Sequence, residues 1–270
     1  MIKVYAISHD GALQGIEIST MRFPGGEVHV SVGQDAPADS LRLHAHLRNA
    51  EAVMTLLLVT DALRRAYPGR PQDLHMPYVP YARQDRVANR GEALSAKIFC
   101  DLINAQGYRQ VVIQDPHSDV VPALLDRVVI DNPVPALRKV LTQVGAVALV
   151  APDAGARKRV LTLAQQLDCD VVFADKVRDT RTGAITATQV LGTLPAQPLL
   201  VVDDICDGGR TFTELATVLR ARQAEQGLDA PLYLYVTHGI FSKGLAPLLA
   251  HFQQLFTRNN WTSDLRCTQV

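Results

Sequence analysis

The segment that most limits what this chain can fold into runs Leu199-Leu200-Val201-Val202-Asp203-Asp204-Ile205-Cys206-Asp207-Gly208-Gly209-Arg210-Thr211-Phe212. Four consecutive apolar residues predict a strand covered on both faces, as parallel strands are, and residues 213–219 behind it have helical spacing. The intervening stretch holds three acids, two glycines and a threonine. Such a loop can present backbone N–H groups to an anion at a helix N-terminus, with carboxylates alongside to meet hydroxyls or a metal.

Strand-like and helix-like segments alternate through most of the chain. Residues 51–66, 93–105, 135–144 and 157–167 read as helices. Residues 1–7, 73–78, 111–113, 128–130, 146–150, 170–173, 199–202 and 232–236 read as strands, and 265–270 as a final one. This alternation predicts an α/β fold with mainly parallel sheets flanked by helices. A turn signal at Asp131-Asn132-Pro133 interrupts it, so two similar halves are expected, residues 1–132 and 133–270.

Two α/β halves fit within 270 residues. The net charge of zero gives no reason to expect nucleic acid or an acidic membrane as partner, so any anion site must be local. Apolar runs such as Leu56-Leu57-Leu58-Val59 are too short to span a bilayer. No secretory signal precedes the first strand, and a cytoplasmic protein is expected. Cys100, Cys169, Cys206 and Cys267 lack metal or redox spacing and read as free thiols, with Cys206 a candidate for oxidation because of its loop. His9, His44, His46, His75 and His251 show no metal-ligand spacing.

In the first half, Arg83, Gln84, Asp85 and Arg86 follow a strand, where open α/β sheets bind ligands, and two guanidiniums there can clamp a polyphosphate. In the second, Lys176 and Arg178 follow the strand 170–173; two residues apart on extended chain, they would face the same side. Asp153, His117 and the loop at Asp203 complete the chemistry-bearing set. These segments, together with Arg22-Phe23-Pro24-Gly25-Gly26-Glu27-Val28, Asp115-Pro116-His117 and Thr237-His238-Gly239-Ile240-Phe241-Ser242, occur in the order found in ribose-phosphate diphosphokinases. The chain resembles that family over nearly its whole length. Phosphoribosyltransferases share the loop at Asp203 but not Tyr81-Ala82-Arg83-Gln84-Asp85-Arg86.

The resemblance implies two phosphoribosyltransferase-like halves and a magnesium-dependent transfer of the diphosphate of ATP to the C1 hydroxyl of ribose 5-phosphate, releasing AMP. It implies that Phe23, Glu27, Arg83, Gln84, Asp85 and Arg86 bind the nucleotide. It makes Lys176, Arg178 and His117 catalytic, with His117 and Asp153 beside the Mg2+. Asp203 and Asp204 would hold the ribose hydroxyls, and Asp207, Gly208, Gly209, Arg210 and Thr211 the 5-phosphate. It also implies a homo-oligomer.

Three departures from the family pattern stand out. Gly25 replaces the acid that normally meets the base. The usual Asp-Thr-Gly-Gly-Thr has become Asp207-Gly208-Gly209-Arg210-Thr211. The family's final helix is not found after residues 265–270. The second departure removes a side chain and adds a cation, which suits an acceptor whose 5-phosphate carries another phosphate. An ADP-ribose-like acceptor is therefore the alternative to free ribose 5-phosphate and would tie the chain to NAD metabolism. A silent regulatory subunit of the family is a second alternative, and a phosphoribosyltransferase a third.

Overall fold

The computed structural model describes the backbone of residues 1–178 and 185–270 and the side chains of residues 1–175 and 188–270. Two units divide the chain, Met1–Asp131 and Asn132–Val270.

The first unit is built on a six-stranded sheet. Its strands are β1 (Ile2–Ile7), β2 (Leu13–Ile16), β5 (Ser40–Ala45), β6 (Gln72–His75), β7 (Gln110–Gln114) and β8 (Val128–Asp131), in the order β2-β1-β5-β6-β7-β8. β5 through β8 pair in parallel, whereas β1 runs antiparallel to both neighbours. The sequence reading missed β2 and β5, and also the separate hairpin β3 (Ile18–Arg22) and β4 (Val28–Val32).

Helices α1 (Ala50–Ala66), α2 (Ser95–Asn104) and α3 (Val120–Leu124) make the crossovers between β5 and β8. Because the strands follow one another in sequence order, right-handed crossovers put all three helices on one face. The α1 boundary is chemically set: the Asn49 side chain accepts the Ala52 N–H at 2.9 Å, Glu51 lies in the first turn, and Arg64 and Arg65 lie in the last. Its apolar stripe, Val53, Leu56, Val59 and Leu63, packs with Phe99 and Ile103 of α2 into the core.

The second unit holds seven strands: β9 (Ala148–Ala151), β10 (Val171–Arg178), β11 (Ile185–Leu191), β12 (Leu199–Cys206), β13 (Leu232–Gly239), β14 (Gln254–Asn260) and β15 (Cys267–Gln269). The order is β11-β10-β9-β12-β13-β14-β15, parallel except for β11. From β9 the chain winds outward to β10 through α5 (Arg157–Leu167); from β12 it winds the other way through α6 (Arg210–Glu225) and then α7 (Ala246–Leu249). Opposite directions place α5 and α6 on opposite faces, each over its own core. One core joins Leu137 of α4 (Val134–Val144) with Val160 and Leu163, and the other joins Leu215, Leu219 and Leu248.

β9 and β12 are neighbours and diverge, so the gap at their carboxyl ends is the topological switch point where such sheets bind ligands. Two strands extend beyond their apolar runs: β12 continues through Asp203 and Asp204, and β10 continues through Lys176 and Arg178. β6 instead stops at His75, three residues short of the sequence expectation. No described helix is long and apolar enough to cross a membrane.

Candidate active site

In the second unit the switch point gathers residues from three elements. Asp153 follows β9 directly. Its Oδ1 accepts the backbone N–H groups of Gly155 at 3.1 Å and Ala156 at 3.3 Å, which fixes the carboxylate at the head of a single 3-10 turn leading into α5. Asp203 and Asp204, at the end of β12, meet a residue that sequence reading did not select. The Arg159 guanidinium donates to Asp203 at 2.5 Å and stands 3.7 Å from Asp204. All three side chains are largely shielded, with exposures of 22% for Arg159, 17% for Asp203 and 10% for Asp204.

Burial pushes the Asp203 carboxyl up to about 8; Arg159 pulls it down, and Asp204 pushes it up again. Arg159 therefore spreads one positive charge over two adjacent acids and holds them in place. Two residues earlier, at the start of α5, Arg157 pairs with Asp175 of β10 and lies over the Phe173 ring, its guanidinium carbon 5.7 Å from the centroid.

The loop after β12 is locked by Gly209, which has φ +79° just before α6. A Cβ there would also come within 3.2 Å of Leu248, so only glycine lets the chain turn from strand to helix at this point. Gly208 is open by comparison, with a built Cβ meeting only the Lys243 stem at 3.7 Å. Arg210 is exposed and pairs at 3.0 Å with Glu214, one turn along its own helix. Cys206 is fully buried and its thiol is pushed up to about 12 by desolvation, so its place beside the loop does not make it oxidation-prone. The four cysteines are free thiols.

The side chains of Lys176 and Arg178 lie outside the described residues. Their backbone pairs with Thr188 and Ile185 of β11, and the register shifts between Val177 and Arg178.

In the first unit the loops after β6 and β7 carry the Arg83–Arg86 segment and His117. Buried Val79 and Ala82 anchor the long segment after β6. The Gln84 N–H bonds to Tyr81 O at 2.8 Å, and Gln84 O accepts the Ala96 N–H at 3.2 Å, at the start of α2. Arg83, Gln84 and Arg86 are left at the surface of a braced loop. Ser118 Oγ donates to Asp85 at 2.6 Å and accepts the Val120 N–H at 3.3 Å. This joins the Arg83–Arg86 segment to the one carrying His117, which is exposed one residue earlier. Asp85 is thereby a loop-bracing group. Phe23 and Glu27 occupy the turn joining β3 to β4, where Phe23 N–H bonds to Glu27 O at 2.8 Å and the Phe23 ring sits 6.1 Å from the His29 ring.

Two phosphoribosyltransferase-type units, one with a Gly-Gly loop at a switch point, define the class. Residues 5–107 match the N-terminal domain of ribose phosphate pyrophosphokinase, and residues 137–228 match the phosphoribosyl transferase domain. The chain is 30% identical over 236 residues to a ribose-phosphate pyrophosphokinase of Burkholderia pseudomallei, covering 85% of this chain and 72% of that protein. It is 30% identical over 230 residues to the same-named protein of Rhizobium meliloti, covering 83% and 72%. The crystal structure of phosphoribosylpyrophosphate synthetase from Mycobacterium smegmatis superposes with a TM-score of 0.80 at 21% identity, covering 97% of this chain and 87% of that one, which shows a shared fold. The chain belongs to the ribose-phosphate pyrophosphokinase family, and it is an enzyme of the diphosphotransferase type.

Proposed function

We propose that the protein transfers the β,γ-diphosphate of ATP to the anomeric hydroxyl of a ribose 5-phosphate group. The C1 oxygen attacks the β-phosphorus, and the bond from that phosphorus to the α,β-bridging oxygen breaks. AMP departs with the electron pair, and the hydroxyl proton passes to solvent. The observation that carries this reading is the Arg159–Asp203–Asp204 cluster beside the Gly208-Gly209 loop: paired acids suit two vicinal hydroxyls, and N–H groups at a helix start suit a phosphate.

The first unit supplies the nucleotide side. Arg83 and Arg86 would bind the triphosphate, with Gln84 beside them and Phe23 and Glu27 contributing from their hairpin. Lys176 and Arg178 would meet charge that develops on the transferred group. Positioning and cations do most of the work in phosphoryl chemistry of this kind.

Magnesium fits what the residues offer. Among the described residues no three His, Cys, Asp or Glu side chains gather into a cage. Such a sparse set suits an ion that keeps its waters and binds mainly through substrate phosphates. Asp153 supplies a carboxylate, and His117 the second protein group, that would hold it. When bound, the ion would neutralise phosphate charge and polarise the phosphoryl group under attack.

Free ribose 5-phosphate is the minimal acceptor. A second reading, an ADP-ribose-like acceptor, is favoured by the open position at Gly208. The test is incubation with magnesium-ATP and ribose 5-phosphate, followed by mass spectrometry. Phosphoribosyl diphosphate and AMP in equal amounts are expected; ADP in place of AMP would replace diphosphate transfer with single phosphoryl transfer.

A further inference from the structure

We infer that Lys243 is a specificity-determining residue, selecting an acceptor whose ribose 5-phosphate is esterified to a further phosphate, a nucleoside-diphosphate-ribose, over free ribose 5-phosphate. The inference rests on the diphosphate-transfer reading above and names its acceptor class.

The argument begins at the end of β13. A Cβ on Gly239 would lie 2.1 Å from Cε2 of Phe241, so glycine at 239 is what lets the Phe241 ring fold back against the strand. Phe241 is buried and has φ 51°, an unfavourable backbone conformation for a bulky residue that its ring burial holds in place. The turn is then tied to the anion loop by three hydrogen bonds. Ile240 and Phe241 N–H donate to Cys206 O at 2.9 and 3.0 Å, and Ser242 N–H donates to Asp207 O at 3.0 Å.

Lys243 is the next residue. Its Cα is held by that splint, its stem passes Gly208, and the residue is exposed. At the start of α6, directly after the loop, stands Arg210, 80% exposed and in a weak surface pair with Glu214 one helical turn away.

A terminal phosphate monoester concentrates two charges on one compact group that loop N–H groups can cover. An esterified 5-phosphate loses one charge and one free oxygen, so it binds that cradle less strongly. It also carries a second phosphate outward, past the rim. Two exposed cations beside the loop, Lys243 and Arg210, match the second phosphate. Gly208 adds no side chain beside the Lys243 stem, which a Cβ there would meet at 3.7 Å.

The experiment measures AMP release from magnesium-ATP with ADP-ribose and with ribose 5-phosphate, for wild type, Lys243→Ala and Lys243→Arg. Calorimetry of both acceptors is run on the same proteins. Wild type should use ADP-ribose. Lys243→Ala should lower kcat/KM for ADP-ribose at least tenfold more than for ribose 5-phosphate, and Lys243→Arg should restore most of that discrimination. AMP release by wild type from ribose 5-phosphate alone, or equal losses for both acceptors in Lys243→Ala, would overturn the inference while leaving diphosphate transfer standing. If neither acceptor yields AMP, the transfer reading fails and calorimetry decides the role of Lys243. Tenfold weaker ADP-ribose binding by Lys243→Ala then supports that role, and unchanged binding removes it.

Discussion

Replacing Arg159 with Ala should both loosen the second unit and make its stability depend on pH in a defined direction. The guanidinium serves two carboxylates, Asp203 at 2.5 Å and Asp204 at 3.7 Å, with all three side chains mostly shielded. Removing the cation from a buried pair costs several kcal/mol; the residual exposure here reduces that to about 2–3 kcal/mol. Asp203 already holds its proton more tightly when folded than in the unfolded chain, because burial raises its pKa to about 8. A raised carboxyl means that the folded state binds more protons, so stability falls as pH rises from the unfolded value of roughly 4 toward the folded one. Without Arg159 the folded value moves higher still, and an additional loss of about 1.4 kcal/mol per unit of further rise develops above pH 8. Urea unfolding of wild type and Arg159→Ala at pH 6 and pH 9 measures this. The penalty should be larger at pH 9, and Arg159→Lys should recover part of it. A penalty that is equal at both pH values, or smaller at pH 9, would refute the assignment of Arg159 as the charge partner of these acids.

The remaining predictions concern the nucleotide side, the transferred group and a histidine outside the site. Arg83→Ala and Arg86→Ala should each raise the KM for ATP several-fold more than that for the sugar phosphate in steady-state kinetics, and GTP should be tolerated because Gly25 offers no acid to the base. Lys176→Ala and Arg178→Ala should each lower kcat by about 100-fold or more, without adding in the double variant, when turnover is followed by AMP release. His75 is half-buried, its ring 4.7 Å from that of His44, and its Nε2 has no hydrogen-bond partner. Desolvation, then His44 and Arg42, lower its pKa to about 4, so the neutral imidazole stabilises the fold above about pH 6.5 and that support is lost between pH 6.5 and 4. After allowance for partial exposure the loss is about 1–2 kcal/mol, and His75→Gln should flatten the acid limb of a thermal-unfolding profile.

The parallel core was legible in the sequence because strands covered on both faces need uninterrupted apolar runs, such as Leu199 to Val202. The first-unit edge was not. β2 and β3 are mostly exposed, and β5 alternates Leu41, Arg42, Leu43, His44, a period-two pattern without a continuous run. Strand ends were read too short in β12 and β13 for a related reason. There polar residues, from Asp203 and from Thr237 onward, still continue the strands. The anion loop was legible because few structural needs require glycines and acids between an apolar strand and a helix. Arg159 was not, since a cation on a helix reads as a solvated face until a partner 44 residues later folds against it. Lys243 was hidden in the same way, since its position beside Gly208 is set by hydrogen bonds between two different strand ends.

The central claim is that this chain moves a diphosphate, not a single phosphoryl group, onto a ribose C1 oxygen. Reaction with ATP radiolabelled at the β-phosphorus, magnesium and a 5-phosphorylated ribose acceptor, with the products separated by chromatography, tests it most directly. The account predicts that the label appears in a diphosphate attached at C1, with unlabelled AMP as the other product. Label retained in ADP, or released as free pyrophosphate with no ester at C1, would contradict it.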